Sequence, residues 1–379
     1  MKTKHSPTQG SSYINEQRRA YSLYVMQSRA IPAAADGLKA GGRRVLWTAR
    51  DGHKWKSASL AGATMPIHPH QSPEGAINTL AAPYNNNIPL FTGDGAFGTL
   101  LAPTSYGASR YTAVSVSPFT KDVMFRDIEI VPMMDNYDGT LQEPVHFLPL
   151  IPISLLNPTE GIAVGFATKS LPRALDDIIL AQLTHLSGAG AISNPTPKFI
   201  PLDCASHYNT DGGKGTAYYF SGEIERVSAN VVRITKLPYG MNHTDITNRL
   251  DELSDSGTVV SYSDMSRDII DISIKFQSKY LSTLSDDDII NTLGLTIRII
   301  ENLTVLDFTG EAVWTPTPAE LIQQFTDWRL GWYVKRYERL KSLVELDLQR
   351  YYDIRTAINN DMGGKARDIT TRAVMREVL

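Results

Sequence analysis

Seventeen tyrosines stand in a chain of 379 residues, and one of them, Tyr111, directly follows an arginine in the run Ala108-Ser109-Arg110-Tyr111-Thr112. A phenol with a pKa of about 10 is a poor nucleophile at neutral pH. It attacks phosphorus only when cations stabilise the phenolate and the charge that grows on the phosphoryl oxygens. Arg110 adjoins it in sequence, and Arg29, Lys39, Arg43, Arg44, His68 and His70 are further cations or donors upstream. Most tyrosines pack cores or interfaces, so the case for Tyr111 rests on its setting.

Other candidate motifs carry less. His68-Pro69-His70 offers two imidazoles at i and i+2, but no third metal ligand lies nearby in sequence. The pair stands just before a helix N-terminus, where phosphate contact is the favoured reading. Gly93 to Gly98 is glycine-rich but lacks a strand–turn–helix context, so it reads as a structural turn. Asp211-Gly212-Gly213-Lys214-Gly215-Thr216 fails the spacing of a phosphate loop. The acidic run Asp286–Asp288 reads as a helix start. No Asp-x-Asp pair suits catalytic magnesium, so any such ligands must come from elsewhere.

The elements that would position Tyr111 come in a telling order. Four helical patterns precede it: Asn15 to Arg29, Arg43 to Arg50, Lys56 to Met65, and one opened by Ser72-Pro73-Glu74. From Arg110 the residues alternate as in a strand, which puts Tyr111 at a strand start. Helices followed by a hairpin are the order of a winged helix. Beyond about residue 149 the pattern turns to mixed α/β. Val231–Lys236, Ile270–Phe276 and Thr296–Asp307 read as strands. Asp245–Leu253 and Asp286–Leu293 read as helices capped by Thr244 and Ser285. Thr317-Pro318-Ala319-Glu320 is a capping box for a helix running to about Ile358, on the order of 60 Å at 1.5 Å per residue.

Composition sets the frame. The chain is 42% hydrophobic and 20% charged, so it can bury a core and is not a disordered tail. No apolar run reaches the ~18 residues of a membrane helix. The polar start lacks a signal peptide's apolar stretch, and the single cysteine, Cys204, excludes an internal disulfide. The expectation is a soluble cytoplasmic protein with no membrane partner. Net charge is −3, but residues 1–60 carry eleven Lys/Arg against three acids. That basic block suits a phosphate-docking face and equally a solvated basic helix.

Six ordered blocks then point to one family. Ser28-Arg29-Ala30-Ile31-Pro32 with Asp36-Gly37-Leu38-Lys39 and Arg43-Arg44-Val45-Leu46, His68-Pro69-His70, Ser109-Arg110-Tyr111-Thr112, Asp135 to Thr140, Gly161 to Thr168, and Leu237-Pro238-Tyr239 resemble the DNA breakage–reunion subunit of type IIA topoisomerases, the family of the DNA gyrase A subunit. The resemblance is nearest to the medium subunits of T-even-type phage enzymes. It implies an α+β fold with a winged-helix domain holding the tyrosine over residues 1–148, a tower over 149–317, and a long helical coiled-coil arm over 318–379. The exit gate beyond that arm would be absent or truncated.

The resemblance also implies roles. Tyr111 would link to a DNA 5′ end and Arg110 would stabilise the transition state. Arg29, Lys39, Arg43, Arg44, His68 and His70 would hold the duplex, and Ile162 would wedge between base pairs. From the residues alone, Ile162 reads instead as buried at a glycine-rich bend. Implied partners are double-stranded DNA, a second copy of the chain, and a large ATPase/Toprim subunit that binds ATP and supplies the Mg2+ ligands. No metal site is expected in this chain. Gly42 stands where the family usually has His, and Pro73 near a usual drug-contacting Ser, which implies weak fluoroquinolone sensitivity. Two rivals remain. A non-catalytic DNA-bending scaffold would share the fold. A tyrosine recombinase would need its tyrosine near the C-terminus, unlike Tyr111.

Overall fold

The computed structural model describes residues 7–69, 72–211, 215–277 and 280–367. It is an α+β structure in two compact units, one ending at Asp327 and one beginning at Trp328.

The first unit opens with α1 (Pro7–Val25), whose end widens into a π-turn at Met26–Ala30. The single helix expected to reach Arg29 therefore changes pitch before Arg29, and such turns often mark functional sites. Next come α2 (Ala40–Thr48), β1 (Trp55–Lys56), α3 (Ser57–Thr64), α4 (Pro73–Ala81), β2 (Phe91–Asp94) and β3 (Ala113–Val116). Pro73 occupies the first turn of α4 and Glu74 complements its dipole, but the Ser72 side chain makes no capping bond. Strand β3 is central, pairing with β2 from Phe91↔Val116 to Asp94↔Ala113 and with β1 at Trp55↔Val114. Val45, Leu46, Leu60, Ile77, Leu90, Phe91 and Val114 are buried.

The chain continues through β4 (Met133–Asp135), β5 (Gln142–Pro144), α5 (Ile153–Leu156), β6 (Thr159–Ile162), β7 (Ala167–Ser170) and α6 (Leu175–Ser187). Short β8 (Lys198–Phe199) and β9 (Cys204–Ala205) pair with each other, and β10 (Tyr208–Asp211) and β11 (Thr216–Ser221) follow. Then come β12 (Glu223–Ser228), β13 (Val231–Lys236), α7 (His243–Asp255), β14 (Val259–Asp264), β15 (Ile272–Phe276), α8 (Asp286–Thr292) and β16 (Thr296–Glu301). Sheet order is β12-β13-β15-β14 in one sheet and β10-β11-β16 in another. The alternation in β15 does what its period requires: Ile272, Ile274 and Phe276 enter a core with Val232, Ile234, Ile246, Leu250 and Ile289. Each such side chain contributes roughly 1.5–3 kcal/mol by leaving water.

Ser285 caps α8 through a reciprocal box with Asp288. Helix α7 is capped by Asn242 with Asp245, not by Thr244, so it begins earlier than its apolar spacing suggests. After β17 (Val305–Leu306) and β18 (Val313–Trp314), α9 (Pro318–Asn359) begins as expected. The Thr317 amide donates to Glu320 at 2.7 Å and the Glu320 amide to Thr317 Oγ1 at 3.2 Å.

The second unit contains the helical residues after Trp328 and α10 (Met362–Arg367). Trp328 meets Trp332 edge-on, and Lys335 lies 4.3 Å from the Trp332 ring. Val334, Tyr337, Val344, Leu348, Tyr351 and Ile358 are exposed at heptad spacing. Among the described residues no helix is long and apolar enough to cross a membrane.

Candidate nucleic-acid interface

Tyr111 does not lie in a strand. It ends a tight turn, in which its amide donates to the Ala108 carbonyl at 2.9 Å, and β3 starts two residues later. The alternation that suggested a strand from residue 110 belongs to 113–116, because the turn must reverse the chain before pairing begins. The ring is 70% exposed, so the hydroxyl can meet a large substrate. Arg110 lies over it, with Cζ 4.8 Å from the ring centroid. Arg110 forms no ion pair among the described residues, so its charge is available.

The turn is held on both sides. The Ser57 and Ala58 amides, in the first turn of α3, donate to the Thr112 and Ser109 carbonyls at 3.0 and 3.2 Å. These are N-terminal donors that no helical carbonyl can satisfy. Buried Thr112 also donates its hydroxyl to Ser57 Oγ at 2.8 Å. Ser109 Oγ donates to the Glu74 carboxylate at 2.7 Å.

Arg29 and Lys39 lie elsewhere, along a cleft of about 630 Å³. Its walls include Gly42, the α4 opening (Ser72, Gly75, Ala76) and Glu160, and Tyr111 is not among its lining residues. Arg29 Nε and Nη2 are buried and have no hydrogen-bond partner among the described residues. Lys39 Nζ donates to the Glu160 carbonyl at 2.5 Å, and burial lowers its pKa. Two cations beside an uncapped helix N-terminus form a setting for an anion.

Arg43 and Arg44 do not belong to this face. Their expected role in gripping DNA is corrected by their burial: the Arg43 guanidinium binds Asp36 at 2.6 and 2.9 Å, and that of Arg44 binds Glu143 at 2.5 and 3.1 Å. Both charges are spent inside the fold. His68 Nε2 lies 3.0 Å from Tyr24 Oη, and its ring meets Tyr137 edge-on. Burial, with Arg44 and Arg29 nearby, holds its imidazole below the ordinary value, which favours the neutral ring. His70 lies outside the described residues.

Ile162 is 86% exposed, which overturns the reading of a buried bend residue. It ends β6 in a hairpin with β7, where Ile162↔Ala167 is the last pair and Gly165 turns the chain at φ +83°. Val164 and Phe166 on the tip are also exposed. The hairpin is pressed against the π-turn: a Cβ on Gly161 would lie 2.0 Å from the Ala30 carbonyl oxygen. Only glycine permits that approach, which brings the hairpin with its apolar tip against the residue that follows Arg29.

Sequence reasoning missed Glu74 as the partner of Ser109, and Tyr24 and Tyr137 as those of His68. Only the family block around Tyr137 pointed to any of them. Among the described residues no three His, Cys, Asp or Glu side chains gather to hold a metal ion.

The family model of the DNA gyrase/topoisomerase IV A subunit matches residues 29–369. The DNA topoisomerase medium subunit of Enterobacteria phage T4 is 29% identical, over 96% of this chain and 85% of that one. DNA topoisomerase 2 of Arabidopsis thaliana is 28% identical over 89% of this chain, which spans 24% of that much longer protein. The crystal structure of the Plasmodium falciparum topoisomerase II DNA-binding, cleavage and re-ligation domain superposes with a TM-score of 0.82. It covers 95% of this chain and 51% of that one at 23% identity, a likeness of fold.

Proposed function

The chain belongs to the family of the DNA gyrase/topoisomerase IV A subunit, and from that premise we propose that it is the DNA-cleaving and rejoining component of a type IIA topoisomerase. The observation that carries this is the exposed Tyr111 phenol, fixed on a turn anchored at both ends, with the Arg110 guanidinium above its ring.

The step is an ester exchange. Tyr111 Oη attacks a backbone phosphorus and the P–O3′ bond breaks. The phenol proton passes to water and the departing O3′ takes one up. The product is a 5′-phosphotyrosyl ester and a free 3′-hydroxyl. One phosphodiester replaces another, so the bond energy is kept and resealing is the same step reversed. Arg110 meets the charge on the non-bridging oxygens. Arg29 and Lys39 receive a neighbouring phosphate in their cleft. Ile162 enters the base stack, where unstacking costs about a few kcal/mol and is offset by the contacts of a bent duplex.

Two copies would cut opposite strands, so that a second duplex passes through the staggered break. The winged helix would span residues 1–148, the tower 149–317, and a coiled-coil arm 318–379. A separate large subunit would bind ATP and carry the Mg2+ ligands, and the complex would act on DNA in the cytoplasm. A scaffold that only bends DNA would need the Ile162 hairpin but no exposed phenol at a fixed turn.

The test is reconstitution with the large subunit, ATP and magnesium on supercoiled plasmid. The wild-type complex changes plasmid topology. Tyr111→Phe binds DNA as well but passes no strand. Undiminished strand passage by that variant would overturn the proposal.

A further inference from the structure

We propose that Glu74 is a positioning residue for the nucleophile. The inference rests on the reading of Tyr111 above and extends it to a residue outside all six family blocks.

The turn carrying Arg110 and Tyr111 is held by two helices in different ways. Helix α3 holds it through backbone amides to the Ser109 and Thr112 carbonyls. Those ties survive most side-chain changes. Helix α4 holds it through one side-chain bond, Ser109 Oγ to Glu74 Oε1 at 2.7 Å. Ser109 immediately precedes Arg110, so this bond fixes the entry to the reactive pair.

The same first turn of α4 faces the anion cleft. Ser72, Gly75 and Ala76 line it together with Arg29 and Lys39, and Glu74 stands among them in sequence while its carboxylate reaches to Ser109. One helical turn thus touches the phosphate-receiving wall and the nucleophile's turn. Its carboxylate also suits the positive end of α4. A shift of α4 when DNA fills the cleft reaches Tyr111 through this bond. Glu74 touches neither phosphorus nor phenol, so it acts through Ser109.

The experiment uses the full chain assembled with its large subunit, and compares Ser109→Ala, Glu74→Ala, Glu74→Gln and the double alanine variant with wild type. Duplex binding, single-turnover formation of covalent complex and melting temperature are measured for each. Glu74→Gln still presents an oxygen to the serine hydroxyl and serves as the rescue.

The expected result is a fall of about tenfold in the cleavage rate for both single alanine variants, the equivalent of one hydrogen bond. DNA affinity is unchanged, or tighter where the negative charge is removed. Glu74→Gln keeps the rate within about twofold, and the double variant is no slower than either single one. Wild-type rates in both alanine variants would overturn the proposal. So would additive losses, a loss explained by weaker binding or by a lower melting temperature, or a Gln variant as slow as the Ala one. Tyr111→Phe, run alongside, separates the two readings: if it still forms covalent complex, the nucleophile is misassigned, whatever Glu74 does.

Discussion

In α2 the guanidiniums of Arg43 and Arg44 end in carboxylates, whereas in the turn before β3 that of Arg110 ends over a tyrosine ring. The first pair is buried with Asp36 and Glu143, and the second site is open. In sequence these arginines look alike, each within a family block. The difference teaches that a basic stretch is not a basic surface. Where a carboxylate waits in the interior, the cation becomes framework. Where none is offered, the charge remains for a ligand. Arg173 repeats the first pattern, fully buried with Glu301 at 2.6 Å, in the part of the fold that joins β16.

The sharpest way to break this contrast is to remove one framework partner. Arg44→Ala leaves the Glu143 carboxylate buried without its cation, and the expected loss is about 3–5 kcal/mol of folding stability. Urea unfolding measures it. If Arg44→Ala unfolds like wild type and instead weakens DNA binding, Arg44 belongs to the surface after all.

Removing the open arginine should do the reverse. Arg110→Ala is expected to slow single-turnover cleavage roughly 10²–10³-fold, the range for losing one preorganised transition-state donor. Its unfolding curve should stay that of wild type. A destabilised variant with normal cleavage per folded molecule would erase the distinction.

A smaller effect sharpens the boundary of the open region. Arg29→Ala or Lys39→Ala should each reduce the slope of log K against log salt by roughly 1 in duplex binding, as the loss of one phosphate contact does. Unchanged slopes would remove the cleft from the interface.

The smallest effect concerns His68. Its imidazole sits below the ordinary value because of burial and nearby arginines, so the fold favours the neutral ring. That contribution is complete above the unfolded value of about 6.5 and is lost as pH falls through the lower folded value. Wild type should therefore lose stability between pH 7.5 and 5 more steeply than His68→Gln. NMR titration should place this ring below a free histidine, and a value above it would refute the assignment.

Much of the site could be read from sequence where the determinants are local. The Thr317–Glu320 and Ser285–Asp288 boxes lie within four residues, and the β15 alternation needs only period two. Tyr111 stands out because Arg110 adjoins it. What could not be read depends on distant partners. Glu143 lies 99 residues from Arg44, and Glu74 lies 35 from Ser109. The exposure of Ile162 depends on a hairpin pressed against Ala30, a contact no local pattern announces. The π-turn at Met26–Ala30 carries no signal in residue type either, since its residues are ordinary helix formers.

The most direct test of the central claim is covalent trapping. The chain is assembled with its large subunit, incubated with end-labelled duplex and magnesium, and denatured abruptly with detergent. The expected product is a protein–DNA adduct with a free 3′-hydroxyl on the DNA, whose digestion leaves the phosphate on the peptide containing Tyr111, and which Tyr111→Phe fails to form. An adduct of equal yield in that variant, or one mapped to another residue, would contradict the account.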